Sequence, residues 1–166
     1  MQEALILKGI AEDYDWENFG RYLIEGERLE VTPDSTSRGI IISSITAKRM
    51  QVGLGDRVDF TFIDRTLQER PRKFTVTGIY KTGLEEYDRQ FALVDIKQPR
   101  ALLGWEDDQV GGFEVTIDDL DDLEAISGYI HYQVLPQDLY GESIRKKIHT
   151  LFSWLDIQDY NIALIH

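Results

Sequence analysis

Short apolar runs and alternating segments dominate the chain, and both predict β-strands. The runs Ala4–Ile10 and Ile40–Ile42 each predict a strand, and Phe91–Ile96, apolar apart from Asp95, is typical of a strand buried on both faces. Alternation of apolar and polar residues predicts three half-buried strands, at Val58–Phe62, Phe74–Tyr80 and Phe113–Ile117.

Helix-like spacing of apolar residues predicts short helices over residues 16–24, 44–51, 99–104, 118–130 and 141–155. Ser43 or Ser44 can cap the second of these, and the glycine-rich turn Gly53–Asp56 connects it to the next strand. Because strands and helices are mixed irregularly, we predict an α+β fold. We expect mixed, mainly antiparallel sheets with short helices, in one compact domain or two small lobes.

Charge and cysteine content exclude several classes of function. The 166 residues include 30 acidic and 18 basic side chains, so the net charge is −12. This field repels phosphate backbones, and we therefore expect no nucleic-acid partner. The absence of cysteine excludes disulfides, thiolate catalysis and zinc-thiolate sites. The N-terminus has no signal-peptide pattern, and the apolar run Asn161–Ile165 is too short to span a bilayer.

Motifs for catalysis, metals and cofactors are scarce in the sequence. The three histidines are scattered, and neither H-E-x-x-H nor G-x-S-x-G occurs. The G-x-G of Gly53–Gly55 follows a helix, whereas a phosphate-binding loop precedes one. The acidic run from Asp118 has Leu123 and Tyr129 where a calcium loop needs glycine and glutamate, so helix capping explains it better. We expect no catalytic residue, cofactor or metal.

Two charged clusters remain as candidates. Glu85, Glu86 and Asp88 could supply paired carboxylates for a hydrolase, although neighbouring carboxylates in a polar turn are usually only solvated. The second cluster is basic, in contrast to the net negative charge of the chain, and lies within a predicted hairpin connection, 64–72. It could contact an acidic partner, or its proline and charges could protect the hairpin from edge pairing. Its members are Arg65, Arg70, Pro71 and Arg72.

Several segments, in order, resemble the periplasmic domain of the FtsX/MacB-type ABC-transporter permease family, nearest its lipoprotein-releasing LolC/LolE-like branch. Phe74–Asp88, FTVTGIYKTGLEEYD, is the closest, resembling F-x-V-x-G-(I/F)-(F/Y)-x-(S/T)-G-x-x-E-(Y/F)-D. Gly39–Val58 resembles the strand, helix and L-x-x-G-D-x-(V/I) turn of that family. Weaker matches are Leu5–Ile10, Glu25-Gly26 and Phe152–Asn161, which resembles the entry to a second transmembrane helix.

The resemblance implies a non-catalytic domain on the periplasmic side of a bacterial inner membrane. It implies a sister permease subunit and a cytoplasmic ATPase as partners, and lipoprotein or lipid cargo. Residues 1–36 and 118–166 would form an incomplete membrane-proximal lobe, and 37–117 an inserted β-rich lobe. The chain departs from the family in lacking several tens of residues before the first strand. It also lacks the Pro-x-Gly hook of the LolC branch.

Two other functions stay open. One is a small envelope-binding or adhesion module, and the other is the carboxylate-based hydrolase using Glu85, Glu86 or Asp88. The permease interpretation further predicts that the apolar stripe Ile144–Leu155 packs on the domain, while Asn161–Ile165 is frayed or exposed.

Overall fold

The computed structural model describes residues 3–63, 66–147 and 163–165. The chain divides into two compact units, which are Met1–Gln109 with Tyr160–His166, and Val110–Asp159. This boundary differs from the predicted lobes 1–36 with 118–166, and 37–117, because the strands of 3–26 share one sheet with those of 39–95.

The first unit is built on one mixed sheet, which confirms the predicted α+β class. Its strands are β1 Glu3–Ile10, β2 Leu23–Gly26, β3 Gly39–Ser43, β4 Arg57–Ile63, β5 Glu69–Tyr80, β6 Phe91–Asp95 and β7 Ala163–Ile165. Its helices are α1 Trp16–Phe19, α2 Ser44–Met50, α3 Glu85–Gln90 and α4 Lys97–Leu103, and a 3-10 turn spans Gly20–Tyr22.

The sheet closes on itself. Its order is β2-β5-β3-β6-β1-β7-β4, and β4 also pairs with β5, so that every strand except β2 belongs to a closed ring of six. Within the ring β1 is parallel to β6 and β3 is parallel to β5, whereas the other pairings are antiparallel. β5 is long enough to pair with β4 along its first half and with β2 at its end. Closure leaves the ring strands no free edge where pairing is complete.

Alternation along the strands separates two apolar clusters. In β3, Ile40 and Ile42 point into the larger cluster and Ile41 into the smaller one, as the period of two requires. Phe60 and Phe74 fill the larger cluster with an edge-to-face contact, 5.3 Å between ring centroids. The smaller cluster packs around Tyr80, Leu93, Ile10 and Leu29 together with the aromatic residues of α1.

Local turn chemistry follows the sequence closely between β3 and β4. Ser43 caps α2, since its Oγ accepts a hydrogen bond from the N–H of Thr46 at 3.1 Å. After α2, the Gly53 N–H donates to Asp56 Oδ2 at 2.8 Å. Gly55 has a φ of 82°, a conformation that favours glycine. The predicted helix-to-strand turn is therefore confirmed.

The predicted helix over 16–24 is wrong beyond its first turns. Asp15 caps α1 by accepting from the Asn18 N–H at 3.1 Å, and a 3-10 turn follows. Leu23–Gly26 then forms β2, because its backbone pairs with the end of β5. Pairing with a strand more than fifty positions away overrides the helix-like spacing of the apolar residues.

The second unit contains α5 Leu123–Tyr129, preceded by a 3-10 turn at Leu120–Asp122 and followed by a π-helix at Ile130–Val134. Asp119 caps this segment by accepting from the Asp121 N–H at 2.9 Å. The predicted strand over 113–117 is wrong. Phe113 is 88% exposed, and these residues have no partner strand in the described structure. Among the described residues, no helix combines the length and apolarity that crossing a bilayer requires.

The C-terminal prediction is wrong in part. Residues 144–147 are helical, as expected, while the remainder of the predicted stripe to Leu155 lies outside the described residues. The tail Asn161–Ile165 is predicted to be frayed or exposed; it is not frayed at Ala163–Ile165, which forms β7 and pairs with both β1 and β4.

Candidate functional site: a basic groove beside strand β5

The candidate contact residues lie in a strand rather than at a hairpin tip. β5 begins at Glu69, so Arg70, Pro71 and Arg72 belong to it and face Phe62, Thr61 and Phe60 of β4. The predicted connection 64–72 is thus too long by four residues at its end. Arg65 lies outside the described residues.

One edge of β5 is open over its first half. β3 reaches β5 only from the pair Gly39–Thr75 onward, where the Thr75 N–H donates to the carbonyl of Arg38 at 2.9 Å. Because backbone groups of successive residues point to opposite sides of a strand, Lys73 and Pro71 face the same side as Thr75. Residues 69–73 therefore pair with β4 on one side, and no strand of the described structure lies on the other.

Pro71 lies on this open edge, at a position where any other residue would present its N–H to a further strand. Proline has no amide to offer a further strand, and the Pro71 carbonyl accepts a hydrogen bond from Arg72 Nη1 at 2.9 Å. Both backbone groups of Pro71 are therefore withdrawn from pairing. This geometry favours the protective explanation of the proline over a role as a contact residue.

The open edge exists because the segment before β3 is held elsewhere. The Ser37 N–H donates to Asp95 Oδ2 at 2.9 Å, and Gln98 Nε2 donates to the Ser37 carbonyl at 2.8 Å. Both partners lie at the junction of β6 and α4, on the far side of β3 from β5. Ser37 is thereby drawn away from β5, and the two segments diverge.

Asp95 anchors this junction. Its side chain is fully buried, and its Oδ1 accepts from the Lys97 N–H at 2.9 Å while Oδ2 accepts from Ser37. Lys97 Nζ lies 3.5 Å from Oδ1. Because a buried carboxylate is costly unless it is paired and hydrogen-bonded, these contacts account for its presence in a structural role.

A basic groove fills the gap between the diverging segments. Its volume is about 470 Å³, and it is lined by Thr36, Arg38, Pro71, Arg72, Lys73 and Gln98. The lining contains cationic side chains and no carboxylate, in a chain of net charge −12. Sequence reasoning found Pro71 and Arg72 but missed Arg38 and Lys73. Arg38 precedes the buried run of β3, so its position at a sheet edge was the available signal.

A second, larger groove of about 800 Å³ lies at the end of β2. Its walls are mixed in character, with Leu29 and Leu54 beside Glu27, Arg28 and Glu30. The Glu27 N–H donates to the Thr77 carbonyl at 3.0 Å, which fixes the chain where β2 leaves β5. No group of buried, unpartnered polar side chains points into this groove among the described residues.

The three candidate carboxylates do not form a site together. Glu85 and Glu86 are exposed, and Glu85 is ion-paired with Arg89 one helical turn away. Asp88 is only 2% exposed, so the expectation of a solvated polar turn is wrong for this residue. Its Oδ1 accepts from Thr82 Oγ1 at 2.6 Å and from the Thr82 N–H at 3.1 Å. Asp88 thus holds the turn before α3.

Tyr80 lies beside Asp88 in the smaller cluster and donates its hydroxyl proton to the Phe91 carbonyl at 2.7 Å. Burial raises the pKa of Tyr80 far above the ordinary value, and repulsion from Tyr87, Asp88 and Tyr14 raises it further. Tyr80 therefore stays neutral over the physiological range and serves as a buried hydrogen-bond donor.

Metal-ligating residues are dispersed within the described ranges 3–63 and 66–147, where no three of His, Asp and Glu come together. His131 accepts a hydrogen bond at Nδ1 from the Gly141 N–H at 3.2 Å, while His149 and His166 lie outside the described residues. Comparison of the chain with protein-family models gives no match, and comparison with curated proteins gives none either.

Proposed function

We propose that the chain is a non-catalytic, extracytoplasmic domain of an ABC-transporter permease of the FtsX/MacB type. In this role it couples ATP-driven motion to the release or export of a lipoprotein or lipid. The observation that carries the proposal is the segment Phe74–Asp88, which resembles the family pattern most closely. Most of its patterned residues are buried in the sheet or hold the turn that follows β5, whereas Glu86 is exposed.

Gly78 shows why a glycine is needed in that pattern. A Cβ at this position would lie 2.9 Å from the carbonyl oxygen of Glu27 and 3.3 Å from side-chain atoms of Leu23 and Ile41. Any larger residue would therefore push β2 away from β5. The glycine of the pattern is explained by the close approach of two strands rather than by a ligand.

Tyr80 and Asp88, two polar residues of the same pattern, also make structural contacts. Tyr80 ties the end of β5 to the start of β6, and Asp88 ties the Thr82–Gly83 turn to α3. A pattern made of such residues is typical of a family that shares a fold and a mechanical role. A family defined by chemistry would instead place its patterned polar groups in an accessible pocket.

The proposed partners follow from the permease assignment. They are a sister permease subunit, a cytoplasmic ATPase and a lipidated cargo, all acting with membrane segments that belong to the complete protein. The domain would sit on the periplasmic side of the bacterial inner membrane.

The lack of cysteine gives a direct test of the proposed location. We would introduce a single cysteine at exposed Asp108 of the complete membrane protein, with any cysteines in other segments replaced. In intact spheroplasts a membrane-impermeant maleimide should label Asp108→Cys to the same extent as after lysis. Labelling only after lysis would overturn the extracytoplasmic assignment.

A second experiment tests the coupling role. The complete protein, reconstituted with its ATPase in proteoliposomes, should release a lipidated protein when ATP is supplied and fail to do so with a hydrolysis-defective ATPase. A reading frame without apolar runs of about 20 residues beside this chain would contradict the proposal before any assay.

A further inference from the structure

The basic groove beside β5 carries two unused cations. Within the described residues, neither Arg38 nor Lys73 makes a side-chain hydrogen bond or an ion pair. Arg72 donates one hydrogen bond, from Nη1 to the Pro71 carbonyl, and its other guanidinium donors are free in the described structure. Unpaired cations grouped on a chain of net charge −12 form a local attraction for anionic groups against a repelling background.

The groove also offers an unused backbone donor. Thr75 and Lys73 point their amides to the same side of β5, and only the Thr75 amide meets a carbonyl there. The Lys73 amide has no backbone partner on that side in the described structure, because hydrogen bonds from Ser37 to Asp95 and Gln98 hold the segment 36–38 away from β5. A ligand in the groove can therefore accept a main-chain hydrogen bond beside two positive side chains.

We propose that this groove binds an extended, acidic peptide segment of a partner protein. The peptide backbone would accept from the Lys73 N–H, as an added strand does at a sheet edge. Its acidic side chains would pair with Arg38 and Lys73. Pro71, with no amide and with its carbonyl already bonded, would limit the added strand to a short segment.

An extended peptide fits these observations better than a free phosphate. A phosphate site needs several donors converging on one point, as at a helix N-terminus or a backbone nest. This groove offers one free amide and separated cations along diverging strands, an arrangement that suits a ligand with both a backbone and spaced carboxylates. The inference goes beyond the permease function and does not depend on it.

The test uses the full chain and a fluorescein-labelled peptide of about eight alternating Glu and Val residues, blocked at both ends. Fluorescence anisotropy at low ionic strength should show saturable binding that weakens as salt is added. The matching Gln–Val peptide should not bind. Because both cations are exposed, Arg38→Glu and Lys73→Glu should each weaken binding roughly tenfold without changing the urea midpoint.

Lys81→Glu is the matched control, since Lys81 is equally exposed and lies at the other end of β5, past its last residue. It should leave the affinity within about twofold. Two further peptides, N-methylated at alternate residues in either phase, test main-chain pairing. One phase should lose binding and the other should keep it.

Several results would overturn the inference. They are no saturable binding of the Glu–Val peptide, an equal loss in Lys81→Glu, and tighter binding of inorganic phosphate or of vesicles containing anionic lipid. If Lys73→Glu failed to fold, Arg38→Glu and the peptide controls would still decide the outcome. The cysteine-labelling experiment addresses the permease location separately, so the two proposals can fail independently.

Discussion

Asp88 shows how a buried carboxylate can be mistaken for a catalytic one. In sequence it stands with Glu85 and Glu86, yet only Asp88 is buried. Its oxygens are occupied by donors from Thr82 and Gly83. The donors lie only five and six positions before Asp88, but the sequence does not show that the turn folds back and brings their N–H groups to this carboxylate rather than to Glu85 or Glu86.

Replacement of Asp88 tests this structural role. Asp88→Asn places an amide nitrogen against the N–H groups that the carboxylate now accepts from, so we expect the free energy of unfolding to fall by about 1 to 3 kcal/mol. Glu86→Gln on the same helix is the control and should change it by less than about 0.5 kcal/mol. Urea denaturation measures both. Equal effects of the two substitutions would show that the bonds to Thr82 contribute nothing.

Tyr80 predicts how stability depends on alkaline pH. Unfolded tyrosine loses its proton near pH 10, roughly, whereas burial raises the pKa of folded Tyr80 well above that value. Above the unfolded pKa the folded state therefore binds more protons than the unfolded state, and stability falls as pH rises. The contribution of Tyr80 to this slope is about 1.4 kcal/mol per pH unit.

Urea midpoints measured from neutral to strongly alkaline pH check this prediction. Tyr80→Phe should be less stable at neutral pH by about 1 kcal/mol, because the hydrogen bond to the Phe91 carbonyl is lost. Its stability should then decline less steeply than that of the wild type at alkaline pH. Parallel curves for the two proteins would show that Tyr80 ionises alike in the folded and unfolded states.

At the level of elements, sequence reasoning succeeds where the determinants are local. The buried run of β3, the Ser43 cap and the turn at Gly53–Asp56 depend on residues within a few positions of one another. It fails at β2 and at 113–117. The helix-like spacing before β2 yields to pairing with β5, and the alternation of 113–117 finds no strand to pair with in the described structure.

The groove was beyond sequence reasoning for the same reason. It opens because Ser37 bonds to Asp95 and Gln98, which lie 58 and 61 positions further along the chain. Sequence reasoning identified a basic cluster in the right strand, but it could not place Arg38 opposite Lys73. These distant bonds hold the segment 36–38 away from β5, and the groove that opens between them has Arg38 and Lys73 in its lining.

Pro71 gives a prediction about the open edge of β5. Pro71→Val restores an amide there, and we expect it to promote pairing between copies of the chain. Size-exclusion chromatography with light scattering should show concentration-dependent dimers or larger species. Asp59→Val, which adds an exposed valine without adding an amide, should stay in the state of the wild type. Identical behaviour of both variants would refute edge protection.

For the molecule as a whole, β7 is the decisive element. It lies between β1 and β4, and its three residues close the ring of strands. The sequence predicts a frayed or exposed tail, because the short apolar run does not show the two strand edges, of β1 and β4, with which it pairs. The apolar content of Ala163–Ile165 predicts burial or pairing equally well, and only the sheet topology decides between them.

Leu164→Pro tests ring closure. Leu164 pairs with Ala4 on one side and Thr61 on the other, and proline cannot donate to either strand. We expect the free energy of unfolding to fall by at least about 2 kcal/mol, and a deletion of 160–166 to cost as much or more. Removal of His166 alone is the control and should have little effect. Unchanged urea midpoints in the deletion would contradict a ring closed by β7.

The closed ring has a consequence for the order in which the protein forms. β1 pairs with β6 and β7, so the pair Ile6–Phe91 spans 85 positions (91 − 6) and the pair Leu5–Ala163 spans 158 (163 − 5). Such distant pairings slow folding, because the entropy of closing a long loop is lost before the paired strands stabilise the structure. Of the two neighbours of β1, β6 comes first along the chain, and β7 follows only after the whole second unit. β1 is therefore paired on both of its edges only once β7 has joined the ring.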